Sequence, residues 1–311
     1  MLRSLLVPLD GSSTGERCLP LATKVAQSSG ARLHLAHVRF PSGPELLTSP
    51  PFELDGEDFP EGEDVGEGER QPGREAEYLR RWEDRLAGEG ASVASTVIEG
   101  APIADELADY AAEVAADLVV MSSRGRGGLA RALLGSVSDE VIRRAPAPVL
   151  VVHPDRKDKV VGSPGTLGHF LVALDGSPLA EHALDPVRKL AKATDARLTL
   201  LHVVSDPTYL GPRVTGLRPD RFEPELEGAA DYLKKVGEGL RQEGFEVEEM
   251  VVQGDTPAAS IAEVADAQDA DVIAVATHGF GGVKRAVLGS VTDGLLTKTR
   301  RPLMVVRPPA E

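Results

Sequence analysis

The chain states one pattern twice, and that repeat limits its possible folds more than any other feature. Asp10-Gly11-Ser12 follows the apolar run 5–9, and Asp175-Gly176-Ser177 follows the apolar run 170–174. His37-Val38 returns as His202-Val203. Gly125 followed by Gly135-Ser136-Val137 returns as Gly279 followed by Gly289-Ser290-Val291. A repeat this long is two copies of one domain rather than a short solenoid unit. The 311 residues suit two domains of roughly 150 residues each.

Within each copy, short apolar runs alternate with longer helical patterns. In the first half, strands are predicted over 2–9, 32–38, 91–98, 118–121 and 149–152. Helices are predicted over 13–29, 75–87, 103–115 and 136–144, with Ser12 or Ser13 as the first N-cap. The second half repeats this order, with strands near 169–174, 197–204, 246–252, 271–276 and 303–306. Strands separated by helices make βαβ units and a mainly parallel sheet. Runs that are apolar throughout suit strands covered by helices on both faces. The domains are placed at 1–154 and 169–309, joined by a linker over 155–168.

The net charge of −15 opposes a nucleic-acid binder, which would carry a basic footprint. Ten acids against the single base Arg70 lie between Pro41 and Gly73, so most of the excess belongs to that acidic, Pro- and Gly-rich insertion, read as mobile. No apolar run approaches the ~20 residues of a membrane span. The start shows no secretory pattern. The one cysteine, Cys18, is read as a half-buried helix residue in a protein of the reducing cytoplasm.

In an open parallel sheet, ligands sit beyond the carboxyl ends of the strands, where strand order reverses. Asp10 and Asp175 end the first strands, Val38 and Val203 the second, and Ser122 and Ala276 the fourth. Glycine turns follow, with Arg124, Gly125 and Gly128 in one half and His278, Gly279 and Gly282 in the other. Gly135-Ser136 and Gly289-Ser290 then open the last helix of each half. A helix start offers unpaired N–H groups and partial positive charge, which suit phosphate. A competing reading pairs Ser136 with Asp139 and Ser290 with Asp293 as capping boxes that need no ligand. Asp10 and Asp175 are read as bonding a ligand or capping the first helix. His37 and His202 are read as packed and neutral. No P-loop, GxGxxG fingerprint, GxSxG elbow, HExxH or thiolate metal set occurs, so neither catalytic nor metal-ligating residues are assigned.

Together these residues resemble the universal stress protein (UspA) family in its tandem two-domain form. The family pattern G-x2-G-x9-G-[ST] stands here as Ser122-x2-Gly125-x9-Gly135-Ser136 and Ala276-x2-Gly279-x9-Gly289-Ser290. The first family glycine is replaced in both copies. The resemblance implies doubly wound five-stranded parallel sheets of order 3-2-1-4-5, an adenine nucleotide alpha hydrolase-like fold. It implies ATP or a related adenine nucleotide, with Mg2+ accompanying the phosphates. Asp10 and Asp175 would lie near the nucleoside, and the backbone of Val38 and Val203 would read the adenine edge. Gly125, Gly135 and Ser136, with Gly279, Gly289 and Ser290, would hold phosphate, followed by Val137 and Val291. Family dimers pair through the fifth strand, so 149–152 and 303–306 would meet inside one chain as a pseudo-dimer. A further homodimer and an unidentified protein partner are compatible with this. The function expected is a stress-response or signalling module that binds nucleotide without strong catalysis. A protein-interaction scaffold is the alternative, and a nucleotidyl-transfer enzyme a more distant one.

Overall fold

The computed structural model describes residues 2–39, 73–123, 135–153, 167–205, 223–277 and 288–308. The first half runs β1 (Ser4–Pro8), α1 (Ser13–Glu16), α2 (Leu19–Ser29), β2 (Arg32–Arg39), α3 (Arg74–Gly88), β3 (Ser92–Glu99), α4 (Ile103–Glu113), β4 (Leu118–Ser122), α5 (Ser136–Arg144) and β5 (Val149–Val152). The second repeats it as β6 (His169–Ala173), α6 (Pro178–Glu181), α7 (Leu184–Thr194), β7 (Arg197–Ser205), α8 (Glu223–Gln242), β8 (Val247–Gly254), α9 (Pro257–Ala267), β9 (Val272–Ala276), α10 (Ser290–Lys298) and β10 (Leu303–Val306).

The helix expected over 13–29 is two helices. Pro20 has no N–H to give the Glu16 carbonyl, so the chain breaks after α1 and restarts with Pro20 in the first turn of α2. Pro186 has the same consequence between α6 and α7. Helix α2 then stops at Gly30 (φ 71°), where left-handed backbone costs glycine nothing; α7 stops at Asp195 (φ 54°).

The strands form one sheet of order β3-β2-β1-β4-β5-β10-β9-β6-β7-β8. Each half therefore has the order 3-2-1-4-5, but the two expected sheets are continuous. Neighbours within each half are parallel. The junction alone is antiparallel, with Met304 opposite Leu150 and Leu303 opposite Val151. Pairing β5 with β10 satisfies two apolar edges that would otherwise expose unpaired backbone groups.

Side-chain alternation sets the layers. Leu5, Val7, Val120, Phe170, Val172 and Met304 enter one core with α2, α3, α7 and α8. Leu6, Val119, Val151, Leu171, Ile273 and Leu303 enter the other with α4, α5, α9 and α10. Both cores cross the junction unbroken, and α2 of one half packs against α7 of the other. Truncating a fully buried side chain such as Phe170 would cost about 3–5 kcal/mol. Among the described residues no helix is long and apolar enough to cross a membrane.

Candidate functional site

Each first strand ends in a turn that uses its aspartate internally. Gly11 (φ 80°) and Gly176 (φ 81°) take the left-handed conformation that reverses the chain. Asp10 Oδ1 accepts from the Ser12 amide (3.1 Å) and hydroxyl (2.7 Å), and Ser12 Oγ accepts from the Gly15 amide (3.0 Å). Asp175, Ser177 and Ala180 repeat this at 3.0, 2.6 and 3.1 Å. Ser12 and Ser177 are thus the N-caps of α1 and α6, and each aspartate orients the cap rather than capping the helix itself.

The opposite wall is the start of the last helix. The Gly135 amide donates to the Ser123 carbonyl (2.9 Å) and the Gly289 amide to the Thr277 carbonyl (2.7 Å). Gly135 and Gly289 are the N-caps of α5 and α10 and provide no side-chain cap. The expected capping boxes do not form. Ser136 and Ser290 already lie inside the helix, one position past the place a box needs. Asp139 turns instead to Arg143, at 2.9 and 3.0 Å. Ser138 Oγ donates to the Ser122 carbonyl (3.1 Å) and Thr292 Oγ1 to the Ala276 carbonyl (3.0 Å), tying each helix start to a strand end. The first intrahelical bonds run from Asp139 to Gly135 and from Asp293 to Gly289, so the amides of 136–138 and 290–292 precede them.

Those of the expected residues that are described stand at the ends of the first, second and fourth strands and at the start of the last helix of each half. The Leu9 amide donates to the Ala36 carbonyl and the Leu174 amide to the Leu201 carbonyl, tying each aspartate turn to the second strand. The partly buried side chains of Val38, Val203, Val137 and Val291 pack on the core. Arg124, Gly125, Gly128, His278, Gly279 and Gly282 lie outside the described residues, as do the acidic stretch 41–72 and most of the linker.

Beneath the rim the halves differ. Ser122 Oγ and Cys18 Sγ both donate to the Gly15 carbonyl, at 3.1 and 3.3 Å. Ala180, Ala183 and Ala276 occupy these places in the second half. Cys18 is completely buried rather than half-buried, and burial pushes its thiol up to about 12, which leaves it inert.

The histidines divide likewise. His37 is buried, and its Nδ1 donates to the Leu9 carbonyl (2.8 Å). His202 is partly exposed. Burial lowers its pKa, with Asp175 pulling the other way. Its ring meets Tyr232 edge-on at 6.4 Å. Beside it opens a cavity of about 590 Å³ between the end of β7 and the first turns of α8. Tyr232 Oη donates to Glu181 (3.2 Å). In the first half Trp82 Nε1 donates to Glu16 (3.1 Å), whose carboxyl is raised by burial. These glutamates and tyrosines are not among the residues expected from the sequence. Their signal was recurrence: Glu16 and Glu181 each stand six residues after the aspartate, and Tyr78 and Tyr232 recur in the following helix.

An aspartate turn facing a glycine-capped helix start at the switch point of a parallel sheet, present twice, defines a tandem doubly wound α/β protein. The universal stress protein family model matches residues 1–153 and 166–307. A universal stress protein of Mycobacterium tuberculosis is 36% identical over 193 residues, 62% of each chain, so the match spans about three fifths of that relative's length. One of Mycolicibacterium smegmatis is 29% identical over 98% of this chain and 97% of its own. The crystal structure of a universal stress protein from Archaeoglobus fulgidus superposes with a TM-score of 0.67 at 21% identity, over 98% of both chains. The chain belongs to the universal stress protein family, with the domain present twice.

Proposed function

We propose that the chain binds ATP or a related adenine nucleotide and acts as a cytoplasmic stress-response or signalling module by binding rather than turnover. The observation that carries this reading is the start of α5 and α10. Both helices open with an N-cap glycine that offers no side-chain acceptor to the first-turn amides. In α5 the nearest carboxylate, Asp139, is drawn off to Arg143. A helix start left this way suits an anion.

The nucleotide's base would lie against the backbone at Val38 or Val203, and its ribose near Asp10 or Asp175. Its phosphates would lie on the amides of Ser136–Ser138 or Ser290–Thr292. Among the described residues no group of three His, Cys, Asp or Glu gathers to hold a metal. A Mg2+ ion would ride on the phosphates and supply charge neutralisation there. The chain's own residues would act by binding and orienting.

Titration calorimetry with ATP and Mg2+ tests the reading. Measurable heat and a thermal shift are expected. Neither, at millimolar nucleotide, leaves the interaction scaffold as the function.

A further inference from the structure

The two crevices are alike at the phosphate end and unlike at the base end. In the second half Val204, Gly228 and Ala229 line the cavity beside His202 and Tyr232. The repeat places Arg39 at the position of Val204, Arg74 at that of Gly228 and Glu75 at that of Ala229. Tyr78 matching Tyr232 and Leu79 matching Leu233 fix this register. The Arg39 guanidinium is paired with Glu99 and reaches Glu75 at 3.9 Å, bridging the end of β2 to the start of α3. The same gap holds an ion pair in one half and open space in the other. Tyr78 is buried in the first half, whereas Tyr232 is partly exposed and its ring edge-packs on His202.

We infer that the crevices are unequal: the nucleotide's base enters the cavity between β7 and α8, and the Arg39–Glu75 bridge closes the matching space in the first half, so one nucleotide binds per chain. This rests on the nucleotide reading above. The cavity is large enough for a purine. Its lining offers the Tyr232 ring, the His202 imidazole, small or apolar residues, and the polar Ser205 and Glu225. A flat, uncharged heterocycle gains from stacking and apolar burial there. On the other side, a base would have to displace a guanidinium held by two carboxylates.

Exchanging the residues tests the inference, with ATP as the probe. Calorimetry of the full chain is expected to give one ATP per chain. Val204→Arg with Ala229→Glu, which imports the first half's bridge, is expected to weaken binding at least ~10-fold, about 1.4 kcal/mol. Arg39→Val with Glu75→Ala is expected to add a second site. Both replaced side chains are at least partly exposed, so the fold should tolerate this pair. Trp82, the chain's single tryptophan, lies two turns beyond Glu75 and reports on the first half alone. Its emission should ignore ATP in the wild type and respond in the Arg39→Val, Glu75→Ala chain. Two equal sites in the wild type, or a wild-type response at Trp82, overturns the inference and leaves nucleotide binding standing. No binding in any chain removes both.

Discussion

The hydroxyl of Ser122 donates to the main-chain carbonyl of Gly15 across 3.1 Å, fastening the end of β4 to α1. The bond exists in the first half only, because Ala276 has no hydroxyl to offer Ala180, and Asp175 forms its turn without it. A Cβ on Gly15 would lie 2.4 Å from Asp10 Oδ1 and 3.2 Å from Ser12 Oγ, both side-chain ends, and Ala180 carries such a Cβ in the matching turn of the second half.

Gly15→Ala, which copies Ala180, should be absorbed by a small shift of the Asp10 side chain and cost less than about 1 kcal/mol. Ser122→Ala, which copies the second half, should cost about 1 kcal/mol, as for one buried hydrogen bond. Urea unfolding of the two variants checks both. A Gly15→Ala chain destabilised by about 3 kcal/mol or more would show that the first turn is held more rigidly than the second.

The second prediction concerns acid stability. His169 starts β6 and shares a hydrogen bond with Thr199 Oγ1 at 2.8 Å. Burial, aided by Arg197, lowers its pKa from 6.5 to about 4, against the opposing pull of the Gln268 and Asp269 carbonyls and the Asp269 carboxylate. The unfolded chain thus takes up a proton before the folded one. Stability from this group is full above about 6.5 and is lost as pH falls toward 4. Ser4 occupies the matching place in the first half. His169→Ser should flatten the difference in melting temperature between pH 7 and pH 4.5. An unchanged slope would mean that the imidazole is not the group responsible.

A third test concerns the far end of the sheet. Arg301 has 7% of its side chain exposed, and donates to Asp266 (2.9 Å), Asp269 (2.9 Å) and the Ala270 carbonyl (2.8 Å). Both aspartates are largely exposed, so solvent screens the ion pairs and the buried carbonyl bond carries more of the effect. Arg301→Ala should cost about 1–3 kcal/mol in denaturant melts. Arg301→Lys should not restore it, because an ammonium cannot reproduce the guanidinium fork. Full rescue by lysine would reduce the interaction to charge alone.

The fold and rim were legible because the chain writes them twice. Apolar runs such as 149–152 and 303–306 identify strands without help, and Asp10, Gly135 and their counterparts are marked by recurrence. The break at Pro20 was missed in the single helix expected over 13–29, although proline's missing donor is a local property. The capping boxes misled because Ser136 and Asp139 have the right spacing in the wrong register: Gly135 ahead of them is the cap. Contacts such as Trp82 with Glu16, or the Arg39 bridge to Glu75, join residues far apart in sequence. Tertiary packing decides those, and no local pattern announces them.

The last prediction separates stability from binding at one residue. Gly289 has φ −62° and ψ 149°, extended backbone that any residue adopts. Aspartate is among the best N-caps, but glycine is itself a fair one, so Gly289→Asp should stabilise α10 by about 0.3–1 kcal/mol through its carboxylate on the first-turn amides. Those are the amides proposed to receive phosphate, and the new carboxylate would both occupy them and repel an anion. ATP affinity should fall at least ~10-fold while the melting temperature rises. Gly135→Asp should stabilise α5 in the same way, yet leave ATP binding unchanged if the second half alone admits the base. Binding lost only with Gly135→Asp would assign the nucleotide to the first half. A gain in stability with undiminished affinity in both variants would mean that the phosphates never touch these helices.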